Sequence, residues 1–155
     1  MKPGTFTQLY IQFVFSPKNK SALLIQPFRT RIFEYMGGIV SNLGHKSIII
    51  NGTTDHVHLF IGLNPKISIS DTVHEIKRGS SLFINENKLL NCKFEWQNGY
   101  GAFSYSRSHI DTLYNYIKNQ EAHHQKRTFR EEYLDLLKKY DIEFDDQYLF
   151  EFFDD

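Results

Sequence analysis

The sequence predicts an α/β sandwich, a largely antiparallel sheet with helices over one face. Three observations carry that prediction. Hydrophobic residues make up 41% and charged residues 23% of 155 positions, a balance that supports one packed core. Several short runs alternate apolar and polar residues, the period of a half-buried strand. Between them lie longer segments with apolar residues every three or four positions, the period of a helix.

Phe6 to Ser16 sets Leu9, Ile11, Phe13 and Phe15 against Tyr10, Gln12 and Val14, a strand broken by Pro17. Phe28, Ile32, Tyr35, Met36, Ile39, Val40 and Leu43 form a helical stripe, with Pro27 at its start and Gly44 at its stop. Ser47 to Ile50 and His56 to Leu63 read as two strands joined by the turn Asn51-Gly52-Thr53-Thr54-Asp55. A helix is expected from about Ser70 to Asn87, with Thr72 and Glu75 at capping-box spacing. Lys93 to Gln97 and Tyr100 to Tyr105 suggest a hairpin around Asn98-Gly99. One helix then runs from Ser108 to about Lys126, and a second capping box, Thr128 with Glu131, opens another to about Tyr140. This order resembles a ferredoxin or an RNA-recognition domain. Residues 1–140 form the expected body. Residues 141–155 are acidic but carry Phe144, Tyr148, Leu149, Phe150, Phe152 and Phe153, so this tail is expected to pack on the body or on a second subunit.

Charge and composition narrow the function. Net charge is zero, yet seven of the acidic side chains lie after residue 140, where there is no Lys or Arg. The body keeps 18 basic and 11 acidic residues, net +7, an asymmetry that suggests a nucleic-acid partner. No run reaches the roughly 18 apolar residues of a membrane helix. The first residues, Met1 to Thr5, hold no apolar signal segment, so a cytoplasmic protein with no membrane partner is expected. Cys92 is the only cysteine, which excludes internal disulfides and multi-thiolate zinc sites.

Three features could carry chemistry. His56-Val57-His58 lies in a strand, so both imidazoles share a face about 6–7 Å apart and can converge on one divalent ion. The same pair also fits two polar residues on a solvated face. Asp55 could orient one ring as an acceptor, or serve only as a turn residue. Tyr116 and Gln120 are four apart on a helix, with His123 one further turn along the same face. A phenol with a pKa near 10 needs a cation or a base beside it to act as a nucleophile. Trp96 to Ser104 could be a plain aromatic hairpin or could present Tyr100 to a nucleobase.

On these residues the chain resembles the single-tyrosine HUH transposases, which move insertion sequences as single-stranded DNA, and their relatives associated with repetitive extragenic palindromes. His56-Val57-His58 meets the His-hydrophobic-His signature. Tyr116 with Gln120 meets the nucleophile helix, and Trp96, Gly99, Tyr100, Phe103 and Ser104 meet the segment before it. Asn119, Gln120, Glu121, His123 and His124 meet its continuation. The resemblance implies a ferredoxin-like fold with the catalytic tyrosine on a helix of the C-terminal half. It also implies a homodimer in which one subunit's His pair can meet the other's tyrosine. It casts Tyr116 as the nucleophile forming a 5′-phosphotyrosine link, and His56, His58 and Gln120 as ligands of magnesium or manganese. Two imidazoles suit manganese better than magnesium. The expected partner is single-stranded DNA with hairpin ends. Lys77, Arg78, Lys118, Lys126 and Arg127 are candidate phosphate contacts, and each also fits a solvated helix face. Two other readings stay open, a domesticated nuclease acting on hairpin repeats and a non-catalytic single-strand binder.

Overall fold

The computed structural model describes residues 3–19 and 24–153. Its sheet has four strands: β1 (Tyr10–Phe15), β2 (Lys46–Gly52), β3 (Val57–Gly62) and β4 (Gly101–Tyr105), in the order β2-β3-β1-β4. Every neighbouring pair is antiparallel. Helix α1 (Phe28–Asn42) links β1 to β2, and α2 (Ile69–Glu86) links β3 to β4. This is the βαββαβ ferredoxin-like arrangement that the sequence predicts. After it come α3 (Ile110–Lys118), α4 (Gln120–Lys126) and α5 (Phe129–Lys139). Among the described residues no helix is long and apolar enough to cross a membrane.

The register assigns side chains to faces, because residues directly opposite in antiparallel strands point the same way. Ile11, Phe13 and Phe15 stand beside Ile61, Leu59 and Val57 and form one face. That face is buried under Ile32, Met36 and Val40 of α1 and Val73 and Ile76 of α2, the expected helical layer. Gln12 and Val14, opposite Phe60 and His58, form the other face. It too is covered: Leu113 and Ile117 of α3 pack on Phe60, and a Cβ on Gly101 would lie 2.9 Å from the Tyr133 ring of α5. The site lies between this second face and the C-terminal helices.

Four local expectations shift. β1 begins at Tyr10, where its pairing with β3 ends at Gly62. α2 begins at Ile69 on the N-cap Ser68, whose side chain accepts from the Asp71 N–H, so Thr72 is not the cap. Thr72 instead donates to the Ser68 carbonyl and sits 2.9 Å from Nε2 of the buried His45, whose Nδ1 accepts from the Asn64 N–H at 2.8 Å. The Asn98-Gly99 hairpin does not form: Trp96 makes a single bridge to Pro17, and the Gln97 N–H bonds Ser16. Lys77 Nζ takes the carbonyls of Gln97 and Gly99. The long helix after Ser108 is three pieces, a 3₁₀ turn at Arg107–His109, then α3, then α4 after a break at Asn119. The Thr128–Glu131 capping box is present as read.

The tail folds back over α5. Phe150 is buried with its ring 5.0 Å from Tyr133 and 5.9 Å from Phe129, and Phe152 lies 5.4 Å from Phe129. Gln97 holds the same segment through the Glu151 backbone.

Candidate active site

The turn between β2 and β3 fixes the first imidazole. Gly52 is required there, since a Cβ would lie 2.2 Å from the His56 carbonyl oxygen. Beyond it, Thr53 donates its hydroxyl to Asp55 at 3.0 Å, and Asp55 Oδ1 holds His56 Nδ1 at 2.8 Å. The His56 ring lies flat on Phe129, with centroids 4.2 Å apart and planes within 5°. His58, two residues into the sheet, is buried with its ring 5.1 Å from that of His56. Gln12 Nε2 donates to its Nδ1 at 2.8 Å.

α3 and α4 bring the second group. Asn51 of β2 donates to the carbonyls of Ile117 and Lys118, capping α3 where the chain breaks. The break turns Gln120 inward, and its Oε1 stands 2.8 Å from His56 Nε2. Tyr116, one turn earlier, lies edge-on to His58 at 6.2 Å and stacks on His123 at 4.5 Å.

Glu132 of α5 joins the two groups. Its Oε1 is 3.0 Å from His56 Nε2 and 3.1 Å from His58 Nε2. Its Oε2 accepts the Tyr116 hydroxyl and, at 3.1 Å, the Gln120 amide. Arg127 donates to the Tyr116 oxygen at 2.8 Å and pairs with Asp135 at 2.7 Å. Sequence reasoning missed Glu132. Its signal is a carboxylate on the inward stripe of Phe129, Tyr133 and Leu137, directly after the capping-box Glu131.

Burial and partners set the charges. Burial opposes ionisation of Glu132, but the electrostatic pull of His58 and hydrogen bonds from both imidazoles outweigh it and hold the carboxyl well below its usual range. Burial likewise opposes charging of His56, but its bonds to Asp55 and Glu132 raise it to about 9. His58 is lowered, chiefly by burial. The Tyr116 phenol is pushed up to about 12 by burial and Glu132, with Arg127 pulling the other way.

The donor set can hold a metal ion. His56 Nε2, His58 Nε2 and a Glu132 oxygen lie within 4.8 Å of one another, all buried, with Gln120 Oε1 alongside. The far nitrogen of His56 is held by an acceptor, as in metal-ligating histidines. Two nitrogens with a carboxylate and an amide oxygen suit manganese, and the carboxylate makes magnesium more acceptable than two imidazoles alone would. A cavity of about 320 Å³ opens beside the Tyr116 ring, with Tyr105, Leu113 and Leu136 among its walls and Arg127 and Lys139 offering charge.

His56, His58, Tyr116, Gln120, Asp55 and His123 thus gather at one place, and Arg127 with them. The other candidates do not. Lys77 is half-buried over the Phe15 ring and tied to backbone carbonyls. Arg78 pairs with Glu75, and Tyr100 packs edge-on against Phe13. Lys118 and Lys126 are exposed at the ends of α3 and α4.

A family model described as "Transposase IS200 like" matches residues 5–120. No curated protein matches the sequence. Several solved structures share the fold, among them two transposases by description. One, from Deinococcus radiodurans R1 and described as a candidate transposase, is 19% identical with a TM-score of 0.60, over 77% of this chain and 96% of its own. The other, a REP-associated tyrosine transposase bound to a REP hairpin, is 13% identical with a TM-score of 0.57, over 80% of this chain and 74% of its own.

Proposed function

We propose, for a chain that belongs to the IS200-like transposase family, that it cleaves and rejoins single-stranded DNA through Tyr116. One observation carries the reading: the Tyr116 hydroxyl and the two imidazoles meet on the same carboxylate, within one chain. The phenol oxygen attacks the phosphodiester phosphorus, the bond to the 3′-oxygen breaks, and a 5′-phosphotyrosine forms. Glu132 Oε2 takes the phenol proton in passing and releases it to solvent, and the departing 3′-oxygen takes up a proton from solvent to become a free hydroxyl. Arg127 already touches the Tyr116 oxygen and offsets the charge that grows on it. The ester keeps the energy of the broken bond, so a 3′-hydroxyl can later displace Tyr116 and rejoin the strand.

His56, His58, Gln120 and Glu132 would hold magnesium or manganese, with Asp55 and Phe129 fixing His56. When bound, the ion supplies positive charge that polarises the phosphodiester and makes the phenolate less costly. His123 steadies the Tyr116 ring by stacking. Lys118 and Lys126, both exposed, would meet phosphates of the strand. Hairpin-bearing DNA is the natural substrate class, in keeping with the hairpin bound by the similar REP-associated transposase. A homodimer is the expected assembly.

Incubating the chain with hairpin-bearing single-stranded DNA and manganese should give a covalent, SDS-resistant adduct. Tyr116→Phe should abolish the adduct and leave DNA binding intact. Absence of any adduct with every divalent metal tried, alongside tight binding, would instead favour the non-catalytic binder.

A further inference from the structure

His58 is fully buried, and both ring nitrogens have polar partners, Gln12 at Nδ1 and Glu132 at Nε2. On the Nδ1 side stands Gln12, also fully buried, whose amide nitrogen donates at 2.8 Å. The other end of that amide, Oε1, accepts the Tyr105 hydroxyl at 2.7 Å. A ring nitrogen that accepts carries no proton, so the single proton of a neutral His58 sits on Nε2 and is donated to Glu132 at 3.1 Å. In that tautomer the nitrogen facing the donor cluster has no lone pair to give an ion. His56 differs, because its Nδ1 faces Asp55, which only accepts.

We propose that Gln12 is a positioning residue for the metal site, holding His58 in this closed tautomer and turning its amide over when a metal binds. This rests on the reading above. After the turn, Gln12 Oε1 accepts from Nδ1–H, and Nε2 is free to coordinate. The two ends of an amide have nearly the same shape, so the turn displaces no neighbour. The ring keeps one proton in both states, so the change needs no net uptake or release at His58. Tyr105 serves either arrangement. Its hydroxyl both donates and accepts, so it can receive the turned amide N–H while its own hydrogen swings toward Tyr140, whose ring is 5.9 Å away. An apolar side chain could fill the Gln12 position but could not switch the proton. The polar end is therefore the part that matters.

The test combines ring ¹⁵N NMR and calorimetry at pH 7.5. In metal-free wild-type protein, His58 should be protonated at Nε2, and on saturation with Zn²⁺ as a diamagnetic probe it should be protonated at Nδ1. Gln12→Leu should bind Mn²⁺ about 10–100-fold more weakly, the usual effect of removing a partner behind a ligating histidine. Gln12→Glu restores an acceptor at the same place and should bind within about threefold of wild type or tighter. If Gln12→Leu fails to fold, the wild-type tautomers and Gln12→Glu still decide the matter. Nδ1 protonation already present without metal, unchanged affinity in Gln12→Leu, or weak binding by Gln12→Glu would overturn the role of Gln12 while leaving the metal site standing. Wild-type protein that takes up no divalent ion would overturn both.

Discussion

Glu132→Gln is the substitution that separates the two jobs of this carboxylate. The side chain keeps its size, and one end can still present an oxygen to His56 and His58, which now lie 3.0 Å and 3.1 Å from Oε1. Metal affinity should fall, because a charged carboxylate oxygen is replaced by a neutral amide oxygen, but the donor position is kept. The other end becomes an amide that cannot take the Tyr116 proton, and losing a general base costs about 10²–10⁴-fold in rate. Saturating manganese removes the first effect and leaves the second. The assay is single-turnover formation of the SDS-resistant adduct with labelled hairpin DNA, at rising manganese until the rate is flat. The expected plateau is lower than wild type by at least about 100-fold, with DNA affinity unchanged. A plateau within threefold of wild type would refute Glu132 as proton acceptor, and the phenol would have to lose its proton another way.

Three further outcomes are expected. Burial holds His45 below its ordinary pKa, so the unfolded chain binds more protons there; the stability it lends is complete above about 6.5 and is lost as the pH falls below that. Urea midpoints at pH 7.5 and 5.0 should therefore differ less in His45→Gln than in wild type. Gly52→Ala would push a methyl group within 2.2 Å of the His56 carbonyl oxygen, and should cost about 2 kcal/mol or more, a fall in Tm of about 4–8 °C, together with weaker manganese binding by calorimetry. Phe150→Ala should destabilise by about 3 kcal/mol in urea and slow adduct formation by loosening α5, whereas Tyr148→Ala, at an 80% exposed residue, should change stability by less than about 0.5 kcal/mol.

What could be read from the sequence is what local periodicity encodes. Two histidines two apart in a strand, and a tyrosine four before a glutamine, share a face wherever the chain goes, so each pair was visible in isolation. The chain topology and the ferredoxin-like order followed from the same periods. Glu132 was not visible, because its partners lie on other elements, 74 residues away at His58, 16 at Tyr116 and 12 at Gln120. Only tertiary packing makes that carboxylate part of the site. The Asn98-Gly99 hairpin misled for a related reason. The dipeptide favours a tight turn, but the half-buried Lys77 of α2 binds the carbonyls of Gln97 and Gly99. The same contact turns Lys77 from a surface cation into an internal strut.

The reactive cluster borrows its last member from a stretch that the family signature does not reach. The match ends at Gln120, whereas Arg127, Phe129 and Glu132 follow it, and the rings of Phe150 and Phe152 pack on Phe129. A fragment that stops where the recognisable fingerprint stops would keep His56, His58, Tyr116 and Gln120 and lose Glu132, the carboxylate on which they meet. Anyone trimming this chain for a tool or a crystal should keep its aromatic end.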